Sequence, residues 1–183
     1  MKPILYFLRS SEQKITTDIL HFAYRLDDAD KKLENVPELN IYSDNYGLTN
    51  RDIGLYALVD HKIAGALWLR LLTKDDNPNA YVNDTTAILT IGVKPEFRGE
   101  GIGAEMLKQL FLEAGTLFEQ ISISLLNHEK TVNYFKRFGF KEVKNSKGRS
   151  PVDGAEVLTM VKRLSNEEVI RPSDGYNPQK WMD

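Results

Sequence analysis

The sequence predicts an α/β (α+β) fold: one mixed central sheet of about six or seven strands, antiparallel in its N-terminal half and flanked by helices. Three observations carry this. Two strand-like runs, residues 55–59 and 63–72, meet across Asp60-His61-Lys62, which makes an antiparallel hairpin. Residues 89–104 read as an apolar strand, a turn at Pro95, a glycine-rich loop and the start of a helix. Further on, Ile121, Ile123 and Leu125 alternate with Ser122 and Ser124, the period of a half-buried strand.

Taken in order, residues 4–8 are rich in β-formers and suit a first strand. Ser10 and Ser11 then open a helix whose apolar face is Ile15, Ile19, Leu20, Phe22, Ala23 and Leu26, ending near Arg25. A second, shorter helix is predicted over 28–34, stopped by Pro37, with an aromatic loop over 40–47. Asp75-Asp-Asn-Pro-Asn79 has turn chemistry, and residues 85–93 form the next strand. After the glycine loop, Ile102, Met106, Leu107, Leu110, Ala114 and Leu117 trace one helical face. Residues 131–138 make a short helix stopped by Gly139, and strands follow over 140–143 and 157–163.

Composition bounds the function. With 183 residues, 42% hydrophobic and 27% charged, the chain suits one well-buried globular domain, set at residues 1–164. A tail over 165–183 carries Pro172, Gly175 and Pro178, with Tyr176 and Trp181 as anchors for docking on the body or on a partner subunit in a homodimer. Net charge is −2, so no global basic field attracts nucleic acid. No cysteine is present, which excludes disulfides, thiolate metal ligands and a Cys nucleophile, and fits a cytoplasmic protein. The apolar core of residues 1–9 is too short for a signal peptide or a membrane span, so no membrane association is expected.

The glycine loop points to an anion. Gly99, Gly101 and Gly103 leave backbone amides unshielded where a helix begins, and first-turn amides lack intrahelical partners. A Walker loop requires Lys and Ser or Thr after its last glycine, whereas Ala104 and Glu105 follow here. A dinucleotide fingerprint requires G-x-G-x-x-G after a parallel strand, whereas the spacing here is G-x-G-x-G after an antiparallel hairpin. Glycines serving only a tight turn remain an open alternative on the spacing alone.

Val93-Lys-Pro-Glu-Phe-Arg-Gly-Glu-Gly-Ile-Gly103 closely resembles the acetyl-CoA signature of the GCN5-related N-acetyltransferase (GNAT) superfamily, R/Q-x-x-G-x-G/A, with Arg98, Gly101 and Gly103 at the matching positions. Val132-Asn-Tyr-Phe-Lys-Arg-Phe-Gly-Phe140 resembles that family's second motif, a short helix ending in Gly-Phe. The element order is similar too, over about residues 3–164.

The resemblance implies acetyl transfer from acetyl-CoA, with no metal, to a primary amine of a small molecule or peptide. Attack is direct, within a ternary complex. Amides of Arg98, Gly99, Glu100, Gly101, Ile102, Gly103 and Ala104 would hold the coenzyme A pyrophosphate, with the Arg98 side chain assisting. A bulge would splay the preceding strand, so that Ile91 and Val93 pair with pantetheine and the Ile91 amide polarises the thioester carbonyl. The family's usual general-acid Tyr falls on Phe135, against the cofactor, which leaves Tyr134, one place earlier and about 100° round the helix, as the candidate catalytic tyrosine. The family's Asn before this helix appears at Asn127, displaced by one, with His128 in its register; either contacts pantetheine or caps the helix. Where some relatives carry a basic Glu, this chain has Thr86 or Ala87, leaving Asp84, Tyr81, His128 or a water chain as base. The acceptor cleft is expected between 28–51 and 73–84, where acidic residues outnumber basic ones, with Trp68 and Arg70 as further candidates for its wall. Phe135 and the unplaced base keep a second reading open, a non-catalytic acyl-CoA-binding regulatory module.

Overall fold

Branched and aromatic residues concentrate in short runs, and in the computed structural model, which describes residues 2–165, these runs become one sheet. Its strands are β1 (Ile4–Phe7), β2 (Ile53–Val59), β3 (Lys62–Arg70), β4 (Ala87–Val93), β5 (Gln120–Leu126), β6 (Lys141–Glu142), β7 (Gly148–Arg149) and β8 (Glu156–Arg163). They lie in the order β1-β2-β3-β4-β5-β8-β6, with β7 also paired to β8. All pairs are antiparallel except β4 with β5. The described residues thus hold eight strands rather than six or seven; β7 is two residues long and has no periodicity to announce it.

The helices are α1 (Gln13–Ala23), α2 (Ile102–Ala114) and α3 (Glu129–Lys136). Central strand β3 is buried on both faces. Leu67 and Leu69 pack with Met106, Leu107 and Leu110 of α2, while Ala66 and Trp68 pack with Ile19 and Leu20 of α1. Each such leucine contributes roughly 1.5–3 kcal/mol through burial, so the two helices are pinned to opposite faces. Gly92 lets α1 ride directly on β4, because a Cβ there would stand 2.8 Å from Ile19 Cγ2 and from the Ala23 amide. The C-terminal end of α1 is thereby brought to the edge of β4.

The predicted second helix over 28–34 does not form. Arg25 and Asp30 take left-handed backbone conformations (φ 57° and 51°), and the chain continues as 3-10 turns at Leu33–Asn35 and Pro37–Tyr42. Asn35 explains part of this: its side-chain oxygen takes the Lys32 amide at 2.8 Å, a local bond that competes with helix. Trp68 and Arg70 are structural. Trp68 is fully buried and donates its indole N–H to the Tyr42 carbonyl at 2.7 Å. Arg70 ties Asp52 to the carbonyls of Ile41, Asp44 and Asn45. The expectations for the tail fall on residues 166–183, outside the described part of the chain.

Candidate active site

The site begins where two strands part. β4 and β5 pair only at Ala87 with Ile121 and Ile88 with Ser122, and then diverge. The expected bulge in β4 is absent: its register with β3 is continuous from Gly65–Val93 to Arg70–Ile88, and the one irregularity lies in β2–β3 at Ala57/Leu58. Divergence of parallel strands, rather than an extra residue, opens the sheet.

Alternation in the ladder shows which amides face the gap. The Lys94 amide donates to the Ala64 carbonyl on the β3 side at 2.8 Å. Polar groups of alternate residues in an antiparallel ladder point to opposite edges, so those of Ile91 and Val93 face away from β3, into the opening. The Val93 carbonyl accordingly accepts the Arg98 Nε–H at 2.9 Å.

Beside this opening, α2 starts at Gly101, which sits at φ 78° and offers no side-chain cap. Gly99 has φ 82°, and a Cβ on either residue would meet no atom within 4 Å. These two glycines are therefore required by backbone conformation, and the space above them is empty. The first intrahelical bond runs from the Glu105 amide to the Gly101 carbonyl at 3.1 Å, leaving the amides of Ile102, Gly103 and Ala104 as uncapped donors at the positive end of the helix. Arg98 spends its guanidinium on the Val93 carbonyl and on Asp27, 3.4 Å away, so it braces the loop against the segment after α1.

A cleft of about 510 Å³ occupies the gap. β4 lines it with Leu89, Thr90 and Ile91, β5 with residues 123–126, and α3 with Thr131 and Phe135. Its far wall is Tyr24 with Arg25, Asp28, Ala29 and Lys31, together with Asn79 and the loop residues Ser150, Pro151 and Asp153. The rings of Tyr24 and Tyr42 stack at 5.2 Å, and burial pushes both hydroxyls up from their ordinary range, so they stay protonated.

The predicted residues separate into two groups. Ile91 and Phe135 line the cleft, whereas Tyr134 does not. The Tyr134 hydroxyl instead lies at the first turn of α2, 3.3 Å from where a Cβ on Gly103 would stand, and burial raises its pKa. Asn127 is turned to β8, where its side-chain amide donates to Glu156 Oε1 at 2.5 Å, and it is absent from the cleft wall. His128 is the exposed N-cap residue of α3, and its side chain makes no cap bond. The Tyr81 hydroxyl donates to Asp84 at 2.6 Å on the surface, and Thr86 is tied to Asn83 and Gln120. None of these proposed bases lines the cleft. From the two segments expected to border the acceptor, Asp28, Ala29, Lys31 and Asn79 line this cleft; the 150–153 wall had no sequence signal beyond turn-forming residues. No group of three or more His, Asp or Glu side chains among the described residues is arranged to hold a metal ion.

Comparison with known families decides what such a split sheet belongs to. A family model described as an acetyltransferase (GNAT) domain matches residues 51–142, which covers half of the chain and spans β4, the glycine loop, α2 and α3. The chain belongs to the GNAT acetyltransferase family. Solved GNAT structures share its fold. One is a phosphinothricin acetyltransferase from Sinorhizobium meliloti in complex with AcCoA, with TM-score 0.65 and 20% identity, covering 97% of each chain. Another is the ribosomal-protein-S18-alanine N-acetyltransferase from Escherichia coli, with TM-score 0.62 and 15% identity, covering 93% of this chain and 99% of that one. A third is a GNAT-family acetyltransferase from Streptococcus pneumoniae, with TM-score 0.65 and 16% identity, covering 90% and 100%. No curated protein matches this GNAT chain in sequence.

Proposed function

We propose that this acetyltransferase moves the acetyl group of acetyl-CoA to a primary amine of a small molecule or peptide, by direct attack in a ternary complex. The observation that carries the proposal is the juxtaposition of an uncapped α2 N-terminus with an open β4 edge. The amides from Gly99 to Ala104 take the pyrophosphate, as an anion at a helix N-terminus does, whereas the Arg98 amide, expected to join them, is already spent on the Pro95 carbonyl at 3.2 Å. Ile91 and Val93 pair with the pantetheine arm as a neighbouring strand would, with Phe135 packed against it. The Ile91 amide then stabilises charge developing on the thioester oxygen.

Tyr134, beside Gly103, serves the pyrophosphate end and not the thiol end. The departing thiolate has an ordinary pKa near 8.5, so water can reprotonate it without a phenol at position 135. Asn127, held by Glu156, takes no part in this arrangement. The test is a thermal-shift comparison of coenzyme A, ATP and NAD, followed by coenzyme A release with a panel of amines. Stabilisation by coenzyme A alone, then turnover with an amine, supports the proposal. Tight acetyl-CoA binding with no turnover on polyamines, aminoglycosides, amino acids or peptide N-termini would favour the regulatory-module reading instead.

A further inference from the structure

The charges of the cleft sit on its rim. Arg25, Asp28, Lys31 and Asp153 are all exposed. Asp28 is engaged by Arg25 at 2.6 Å, Lys31 donates to the Val152 carbonyl, and Asp153 Oδ1 takes the Ala155 amide at 3.0 Å. The floor is different. β4, β5 and α3 contribute no ionisable group to it, only the hydroxyls of Thr90, Ser124 and Thr131, with the Tyr24 phenol at the edge. Thr90 is 4% exposed, yet its hydroxyl has no hydrogen-bond partner among the described residues. It stands next to Ile91 in sequence and on the other face of β4, the face packed against α1. Ser124, across the gap, is likewise unpartnered.

Among the described residues the one fully buried side-chain polar atom without a partner is Asp27 Oδ1, so the Thr90 and Ser124 hydroxyls are not sealed off but open on the cleft, where a ligand N–H can reach them. Here the floor offers neutral acceptors for an N–H and no carboxylate or imidazole to take a proton from an ammonium. Resting on the acetyl-transfer function proposed above, we propose that the acceptor is an amine of low basicity, taken up in its neutral form with its N–H groups held by Thr90 and Ser124. At pH 7.5 an α-amino group with pKa near 8 is about one-quarter neutral, whereas an alkylamine with pKa near 10.4 is neutral in about one molecule in a thousand. The nitrogen lone pair attacks the thioester carbon, the C–N bond forms and the C–S bond breaks. The proton lost by the nitrogen passes through water to the thiolate, giving amide and free thiol.

The test uses glycinamide and ethylamine as small acceptors of low and high basicity, with coenzyme A release followed at pH 7.5 and acetyl-CoA affinity measured separately by calorimetry. The expected result is a kcat/KM about 200-fold higher for glycinamide, set by its neutral fraction. Thr90→Val should raise the glycinamide KM about tenfold with acetyl-CoA affinity unchanged, Ser124→Ala should raise it several-fold, and Thr90→Ser should restore it, as loss and return of one hydrogen bond predicts. Equal or better use of ethylamine, an unchanged KM in Thr90→Val, or no turnover of either amine by protein that binds acetyl-CoA would overturn the inference. Failure of the wild-type protein to bind acetyl-CoA would instead defeat the function on which it rests.

Discussion

Lys31 donates a hydrogen bond from its ammonium to the carbonyl of Val152, joining the segment after α1 to the loop before β8 across the mouth of the cleft. The two residues are 121 positions apart in sequence. This bond closes one side of the cleft mouth, and the rim residues Asp28 and Asp153 flank it. Because Lys31 is exposed, its loss should cost little stability and act on binding. Lys31→Met is expected to raise the KM for the amine about threefold to tenfold, as one hydrogen bond is worth, with Tm almost unchanged. Steady-state kinetics beside a thermal melt checks both parts.

Tyr134 and Phe135 exchange the roles that their chemistry suggests. The residue with a hydroxyl faces the first turn of α2, and the residue without one lines the cleft. Tyr134→Phe should therefore raise the KM for acetyl-CoA severalfold while kcat stays within about twofold. Loss of a general acid would lower kcat by about 10²–10⁴. Measuring kcat and KM separately distinguishes the two, and a collapse of kcat would return Tyr134 to the thiol end of the site.

The left-handed backbone at Gly101 predicts a separation of stability from binding. In Gly101→Val the added Cβ would meet no atom within 4 Å, so the main cost to the fold is conformational, about 1–2 kcal/mol. The same side chain occupies the space over the uncapped amides, and acetyl-CoA affinity should fall at least about 100-fold if several of those charge-assisted bonds are lost. Denaturant melts and calorimetry report the two effects independently.

Much of this site was legible because its chemistry is carried by backbone. Glycine spacing at 99, 101 and 103 and the apolar run before it suffice to place an amide-lined loop next to an open strand edge. What was not legible depends on tertiary placement. The outer walls of the cleft come from segments near residues 24–31, 79 and 150–153, and nothing in the local pattern of Ser150-Pro-Val-Asp153 says which cavity it borders. Arg25 and Asp30 broke the predicted helix over 28–34 by adopting left-handed conformations that no glycine advertised. Thr90 was hidden inside a strand that already had a role, and only its place on the cleft floor singles it out.

The tie between Asn127 and Glu156 makes a pH prediction. The Asn127 amide and then Lys147 favour the carboxylate, holding the Glu156 pKa below its ordinary value. A depressed carboxylate adds stability that is present above the unfolded-state pKa, near 4.3, and is lost as pH falls through the lower folded value. The Asn127–Glu156 contact should thus persist through neutral pH and release in acid. In Asn127→Ala the Glu156 pKa should rise toward the ordinary value, measured by NMR titration of its side-chain carboxyl. No change would remove the amide as the cause.

On the proposed function, acetyl-CoA lies along the open edge of β4 with its pyrophosphate on the start of α2. Amide chemical shifts on titration with coenzyme A test this most directly. The largest perturbations are expected at Ile91 and Val93 and at Ile102, Gly103 and Ala104, with amides of β1 and β2 unmoved. Saturable binding that leaves those five amides unshifted and perturbs another face of the sheet would contradict it.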